Sequence, residues 1–206
     1  TKKQYLREFA WWLKVGGGGA VMNSIQGCED RVFIQTVSPH DKENSYEELQ
    51  RTFFHEAYHA YQKDLNSCPE VGDNDYWLIE GGASYFAEHV VSWAQGQLEN
   101  FSSNLLEITH WMVHGIGVGL DEQRNPHSNV HYGAGYQGMG ALRLMVELGW
   151  LDEMRILDSS LFHDCSRIKE FKDNDPKIQF VKNHWNEIEE KNGIFQFKES
   201  ALYPDL

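Results

Sequence analysis

The chain has 206 residues, of which 41% are hydrophobic and 13% aromatic, a composition that supports one sizeable core and excludes intrinsic disorder. Eighteen Lys and Arg against thirty-one Asp and Glu give a formal charge of −13, which argues against nucleic-acid and anionic-membrane partners. No apolar run approaches the roughly 20 residues of a spanning helix, so we expect no membrane span.

The first forty residues combine a helix, a glycine-rich loop and a strand. Apolar residues at helical spacing predict a helix over residues 2–14, and the glycines Gly16–Gly19 end it. The β-branched and aromatic run Arg31–Val37 predicts a strand at the edge of a sheet.

Residues 41–206 are predicted to be mainly helical. The first of these helices is predicted over 46–65, with Ser45 as N-cap and Glu48 three residues later in a capping box. Further helices are predicted over 76–95, 102–114, 129–148 and 176–191, and Gly149 is expected to end the 129–148 helix as a C′ residue. The predicted fold class is therefore α+β, in a single domain over residues 1–206 with a small N-terminal sheet.

The first of these helices carries His55-Glu56-Ala57-Tyr58-His59, an H-E-x-x-H pattern. Residues four apart project from one helix face, so His55 and His59 can both bind one Zn²⁺. Glu56 would lie beside the metal, where a carboxylate can take a proton from water and pass it to a leaving amine.

The next helix contains Trp77-Leu-Ile-Glu80-Gly-Gly-Ala-Ser-Tyr-Phe86. An H-E-x-x-H motif followed by W-L-x-E-G-x-A-x-Y-F resembles the gluzincin metallopeptidases, which include the aminopeptidase N-like and peptidase-MA-like families. The resemblance covers roughly residues 45–150. It implies a thermolysin-like catalytic fold, Zn²⁺ as cofactor, Glu80 as third metal ligand and a peptide or protein as substrate.

A weaker resemblance concerns the oxyanion donor. The stretch that begins at Tyr136 is similar to the family's Y-x-x-G-x-x-L-L-x-x-L helix, in which the tyrosine stabilises the tetrahedral intermediate. The resemblance favours Tyr136 in this role. Because the glycine spacing differs by one, Tyr132, one turn earlier, stays an alternative.

The N-terminal segment resembles the substrate-binding region of the same enzymes. Gly19-Ala-Val-Met-Asn23 looks like G-A-M-E-N without its glutamate, which is the family's partner for a substrate α-amine. The following strand occupies the place of the edge strand that pairs with substrate backbone, so Phe33, Ile34 and Gln35 are the candidate substrate-binding residues.

Several further residues have weaker roles. His127 and His131 flank the segment before the two tyrosines and are candidates for lining the site, whereas His110 and His114 repeat the four-residue spacing without an intervening acid. Ser84 stands where some relatives carry an Asp that orients a ligand histidine, so we expect that orientation to come from another residue here.

The sequence thus predicts a zinc peptidase, with endo- and exopeptidase activity both open. An aminopeptidase and a non-catalytic zinc-binding recognition domain are the alternatives. The acidic charge suits a secreted, periplasmic or cell-surface protein, and the N-terminus without Met or an apolar signal predicts a processed protein or excised domain. Cys28, Cys68 and Cys165 leave one disulfide and one free thiol open. Oligomeric state has no sequence signal.

Overall fold

A computed structural model describes residues 19–24, 31–36, 46–59, 61–62, 76–116, 120, 134–162, 171 and 174–204. The described part is mostly helical and contains two small antiparallel sheets of two strands each. The helices are α1 (Tyr46–His59), α2 (Tyr76–Ala94), α3 (Phe101–Ile116), α4 (Ala134–Glu147), α5 (Glu153–Leu157), α6 (Pro176–His184) and α7 (Glu199–Leu202). The strands are β1 (Gly19–Ser24), β2 (Arg31–Thr36), β3 (Ile188–Lys191) and β4 (Ile194–Phe197).

The N-terminal sheet pairs β1 with β2, and its register places Met22 opposite Phe33 and Val21 opposite Ile34. Among the described strands, β2 pairs only with β1, as expected of an edge strand. Strand β1 itself was not predicted, because its glycine-led start reads as a loop. The predicted helix over residues 2–14 lies outside the described residues.

Helices α1 to α4 form the frame of the described structure, and α2 and α3 lie close to their predicted bounds. Helix α1 contacts both strands of the first sheet and packs along α2, while α2 makes its most extensive contact with α4. The predicted 46–65 helix was wrong at its end, because α1 ends at His59 and Tyr61 already lies in a turn, donating to the carbonyl of Tyr58 three residues back at 2.8 Å. Residues 63–65 of that prediction, the start of the predicted 129–148 helix before residue 134, and the Ser45–Glu48 capping box lie outside what the structure describes.

Two local hydrogen-bond arrangements stabilise these helices. Helix α4 ends in a Schellman motif, as the prediction for Gly149 requires: this residue has φ +68° and donates to the carbonyl of Val146 at 3.0 Å, and Trp150 donates to Met145 at 2.9 Å. The buried Tyr85 of α2 donates from its hydroxyl to Glu153 Oε1 at 2.5 Å.

The core lies mainly between α2, α3 and α4 and extends to α6 and β4. Its fully buried side chains include large aromatic and aliphatic residues, among them Tyr58, Trp77, Leu78, Tyr85, Leu105, Leu106, Met139, Leu142 and Leu144. Because α1 and α2 carry the candidate site and also supply core residues such as Tyr58, Trp77 and Leu78, this packing holds the backbone on which the site is built.

The prediction of a helix over residues 176–191 was wrong in its second half. Helix α6 ends at His184, and residues 188–191 form β3, which pairs with β4. Asn192 and Gly193 connect the strands with φ values of +56° and +79°, which is the type I′ geometry that an Asn-Gly pair favours. Alternate burial of Phe195 and Phe197 fixes the register of this hairpin against the core.

Candidate metal centre

The candidate site lies on the facing sides of α1 and α2, which run antiparallel. On each helix, residues four apart in the sequence lie on the same face. One such row on α1 contacts one such row on α2. Arg51 meets Glu88, His55 meets Ser84, and His59 meets Glu80. The H-E-x-x-H motif and the downstream Glu80 therefore share one interhelical surface.

The three predicted metal ligands lie together. His55 Nε2 lies 3.1 Å from Glu80 Oε2 and 3.1 Å from His59 Nε2, and His59 Nε2 lies 3.7 Å from Glu80 Oε1. We call these three residues the His–His–Glu cluster. All their candidate ligand atoms lie within 4.8 Å of one another, so the cluster could hold a metal ion.

The spacing of these atoms suits a tetrahedral metal. Ligand atoms at 2.0–2.1 Å from a tetrahedral Zn²⁺ are about 3.3–3.4 Å apart, close to the 3.1 Å that separates His55 Nε2 from His59 Nε2 and from Glu80 Oε2. Between 19% and 20% of each of the three side chains is exposed, so solvent can reach a metal ion held by them. Three protein ligands and one open position are typical of a catalytic zinc site.

Both histidines have a neutral hydrogen-bond partner at the ring nitrogen that faces away from the cluster. His55 Nδ1 lies 3.1 Å from Ser84 Oγ, and His59 Nδ1 lies 2.6 Å from Gln62 Oε1. The expectation that Ser84 would not orient His55 was wrong, because the serine hydroxyl reaches the ring across the helix interface. Gln62 was missed by the sequence analysis, although it follows His59 by three residues.

Glu80 and the two histidines shift each other's pKa values. Burial raises the pKa of Glu80, but hydrogen bonds from His55 and His59 and the charges of these rings outweigh it and hold this pKa well below its usual range. Burial lowers the pKa of His59, but the hydrogen bond to Glu80 and the negative charges of Glu80 and Glu56 raise it by more. The pKa of His59 therefore lies above its usual value. Glu80 is therefore an anion, the form that binds a cation.

One turn away, an ion pair connects the same two helices. Arg51 Nε donates to Glu88 Oε2 at 2.5 Å, and Arg51 Nη2 donates to Glu88 Oε1 at 3.4 Å. Glu88 is buried, with 4% of its side chain exposed. A buried carboxylate would be costly without this partner, so the pair fixes the alignment of α1 and α2 beside the cluster.

Helix α4 approaches the cluster with its first turn. A Cβ atom on Gly135 would overlap Ser84 Oγ and lie 3.5 Å from His55 Cε1. Only a glycine therefore allows α4 to pass this close to the cluster. Tyr136, the next residue, is partly buried against the core, and its carbonyl accepts from Thr109 Oγ1 at 3.2 Å.

The other predicted site residues are placed as follows. Glu56 is partly buried next to His55 in α1, where its charge acts on His59. Phe33, Ile34 and Gln35 form the central part of β2. The remaining candidates and the cysteines lie outside the described residues: Tyr132, His127, His131, Cys28, Cys68 and Cys165.

Most histidines outside the cluster that the structure describes have packing contacts. The ring of His89 packs edge-to-face on Phe101, and burial lowers its pKa. The ring of His184 stacks on Phe180 and lies 2.8 Å from Glu187 Oε1. His110 contacts the ring of Phe195. Among the described side chains, the His–His–Glu cluster is the one group that could bind a metal ion.

Comparisons of the chain with protein-family models, curated proteins and solved structures find no match. In the part of the chain that the structure describes, no helix combines the length and apolar character needed to cross a membrane.

Proposed function

We propose that the chain is a zinc-dependent peptidase of gluzincin type, in which His55, His59 and Glu80 are the metal ligands. The observation that carries the proposal is the convergence of two Nε2 atoms and the two carboxylate oxygens of Glu80 at 3.1–3.7 Å on one partly exposed surface. The acid Glu56 adjoins the first ligand in the sequence, as a hydrolytic site requires.

Zinc suits this donor set, because imidazole nitrogens with one carboxylate are typical ligands of catalytic zinc. When bound, Zn²⁺ would polarise the scissile carbonyl and lower the pKa of water. The role of the three side chains is to hold the metal with one coordination position open. The ionised state of Glu80 and the outward hydrogen bonds of both rings favour this role.

Glu56 is the proposed general base and acid. It would accept a proton from the attacking water and donate it to the leaving amine nitrogen, so that the amine leaves as a neutral group. Glu56 lies in the last turn of α1, between the two histidines in the sequence, where its charge acts on His59. Tyr136 is the proposed donor to the developing oxyanion, supported by the approach of the first turn of α4 to His55.

The substrate is proposed to lie along β2. An extended peptide can add to the unpaired side of an edge strand through main-chain hydrogen bonds, which need no particular side chain. Helix α1, which carries Glu56, contacts both β1 and β2, so the sheet lies beside the proposed catalytic helix. Since the segment Gly19–Asn23 lacks the glutamate that would bind an α-amine, an endopeptidase is favoured over an aminopeptidase.

A peptide-cleavage assay tests this function. The wild-type chain should cleave a mixture of quenched fluorescent peptides, lose activity with a chelator and regain it when Zn²⁺ is added. Glu56→Gln should reduce turnover by about 10²–10⁴-fold, since it removes the proton acceptor, and should still bind zinc. Glu107→Gln, at an exposed position of α3, is the matched control and should be fully active.

Two outcomes would contradict the proposal. Stoichiometric zinc without cleavage of any peptide would favour the non-catalytic recognition domain. Equal turnover of wild type and Glu56→Gln would exclude the proposed base while leaving metal-dependent hydrolysis intact.

A further inference from the structure

Gln62 is a nearly fully buried amide next to the His–His–Glu cluster. It lies in the turn that follows α1, and 3% of the residue is exposed. Its Oε1 lies 2.6 Å from His59 Nδ1, and its Nε2 donates to the carbonyl of Ile79 at 2.9 Å. Both polar ends of this side chain therefore have partners, and neither partner is water.

The two contacts determine which nitrogen of His59 carries a proton. A backbone carbonyl only accepts, so the Gln62 atom that faces Ile79 is the amide nitrogen and the atom that faces His59 is the oxygen. An amide oxygen also only accepts, so His59 Nδ1 must be the donor. In the neutral ring this leaves the lone pair on Nε2, which faces His55 and Glu80.

The same side chain joins the two helices that supply the ligands. Ile79 immediately precedes Glu80 in α2, whereas His59 is the last residue of α1. A Cβ atom on Gly82 would lie 3.2 Å from Gln62 Nε2, so α2 also closes over the amide from one side. Gln62 thus fixes the ring of one proposed ligand relative to the backbone that carries another.

We propose that Gln62 is a positioning residue of the metal site. Its oxygen holds His59 in the tautomer and orientation that direct Nε2 to the metal, and its amide nitrogen anchors this ring to the backbone beside Glu80. The inference rests on the proposed function, because it assumes that the cluster binds a metal. It deepens that proposal by assigning orientation of a ligand to a residue outside the H-E-x-x-H motif.

Zinc affinity of Gln62 variants tests the inference. The dissociation constant of Zn²⁺ is measured by competition with a chromophoric chelator, and the unfolding midpoint of each metal-free protein is measured in denaturant. Gln62→Met keeps the length of the side chain but accepts no comparable hydrogen bond, so it should weaken zinc binding about 10–100-fold. Gln62→Glu keeps the acceptor for His59 and loses the donor to Ile79, so it should lose less zinc affinity than Gln62→Met, while its unfolding midpoint falls.

Tyr85→Phe is the matched control, because it removes a buried hydrogen bond of α2 at a residue that contacts none of the three ligands through any hydrogen bond described. It should lower the unfolding midpoint and leave zinc affinity unchanged. A loss of zinc affinity in Tyr85→Phe equal to that of Gln62→Met would overturn the inference, because general destabilisation would then explain both.

Other results would also overturn it. Gln62→Met binding zinc within twofold of wild type would show that Gln62 only packs, and Gln62→Glu losing as much affinity as Gln62→Met would show that the Gln62 oxygen does not position His59. If Gln62→Met does not fold, histidine ¹⁵N chemical shifts of the zinc-loaded wild type decide, since the inference requires a protonated Nδ1 and a metal-bound Nε2 in His59. A wild type that binds no zinc would refute the proposed function, whereas tight binding with an indifferent Gln62 would refute the inference alone.

Discussion

The two imidazole rings of the His–His–Glu cluster have hydrogen-bond partners of different kinds. The hydroxyl of Ser84 can donate or accept, so it is compatible with either protonation state of His55 Nδ1. The amide oxygen of Gln62 can only accept from His59. The orientation of His55 is therefore expected to depend on Ser84, but its tautomer can change when a metal binds.

Removing the Ser84 hydroxyl should weaken metal binding. In Ser84→Ala the ring of His55 loses the partner of its outer nitrogen, so we expect the zinc dissociation constant to rise about tenfold. Competition with a chelator measures this constant. Ser92→Ala is a matched control, because Ser92 is also buried on α2 but lies two turns beyond Ser84. Equal affinity of Ser84→Ala and wild type would show that the serine does not support the ligand.

Kinetics can test whether a tyrosine donates to the oxyanion in the proposed reaction. Tyr136→Phe removes the phenolic donor, so kcat should fall about 10²–10³-fold while KM changes little. Tyr132→Phe is measured in parallel, since both residues are candidates from the sequence. A large effect in Tyr132→Phe alone would transfer the role to Tyr132, and small effects in both variants would exclude a tyrosine donor.

At the scale of single residues, the sequence predicted the proposed ligands because their spacing follows helix geometry. His55 and His59 are one turn apart, and the pattern around Glu80 marks a second helix with its own acid. Gln62 could not be recognised in the same way, because one of its partners is a backbone carbonyl seventeen residues away. Ser84 was misjudged because hydroxyl hydrogen bonds carry no sequence pattern.

The crossing of α2 and α4 is the feature of the fold that most directly positions the site. The two backbones touch at Gly81 and Gly138, where a Cβ on Gly138 would overlap the carbonyl of Trp77 and lie 2.9 Å from Gly81 Cα. The first turn of α4 reaches the cluster because the crossing is this close. At Gly135, three residues earlier, the backbone of α4 also lies close to the side chains of Ser84 and His55.

Widening this crossing should cost stability. Alanine ordinarily favours a helix over glycine by about 1 kcal/mol, but in Gly138→Ala the new methyl group forces two backbones apart. We expect the net free energy of unfolding to fall by about 1–3 kcal/mol, measured by denaturant titration of the metal-free protein. An unchanged or increased stability would show that the helices do not pack as closely as the structure has them.

Helices α2 and α3 were predicted close to their observed bounds, whereas the end of α1, the short helices α5 and α7 and the last hairpin were not. Helical periodicity and the C′ role of Gly149 gave α4 its correct end, whereas the segment 176–191 was assigned as one helix. The Asn192–Gly193 pair and the alternating Phe195 and Phe197 are hairpin signals that this assignment overlooked. Burial of these two phenylalanines against the core outweighs any helical tendency of Ile188–Lys191.

At the scale of the whole molecule, tertiary packing brings together functional side chains that are far apart in the sequence. The His–His–Glu cluster contains residues up to 25 positions apart in the sequence. The first turn of α4, which begins more than 70 positions after the end of α1, packs beside it at Gly135. The sequence suggested this assembly only through the gluzincin resemblance, because the antiparallel alignment of α1 and α2 depends on contacts such as Arg51–Glu88 that have no local signal. A metal held by both helices would cross-link them and stabilise the folded chain.

Anomalous diffraction at the zinc absorption edge, from crystals grown with Zn²⁺, tests the central claim most directly. We predict one strong peak about 2.0–2.2 Å from His55 Nε2, His59 Nε2 and a carboxylate oxygen of Glu80, and no peak there in crystals of Glu80→Gln. A wild-type map without a peak between these three side chains, or with zinc bound only elsewhere, would contradict the account.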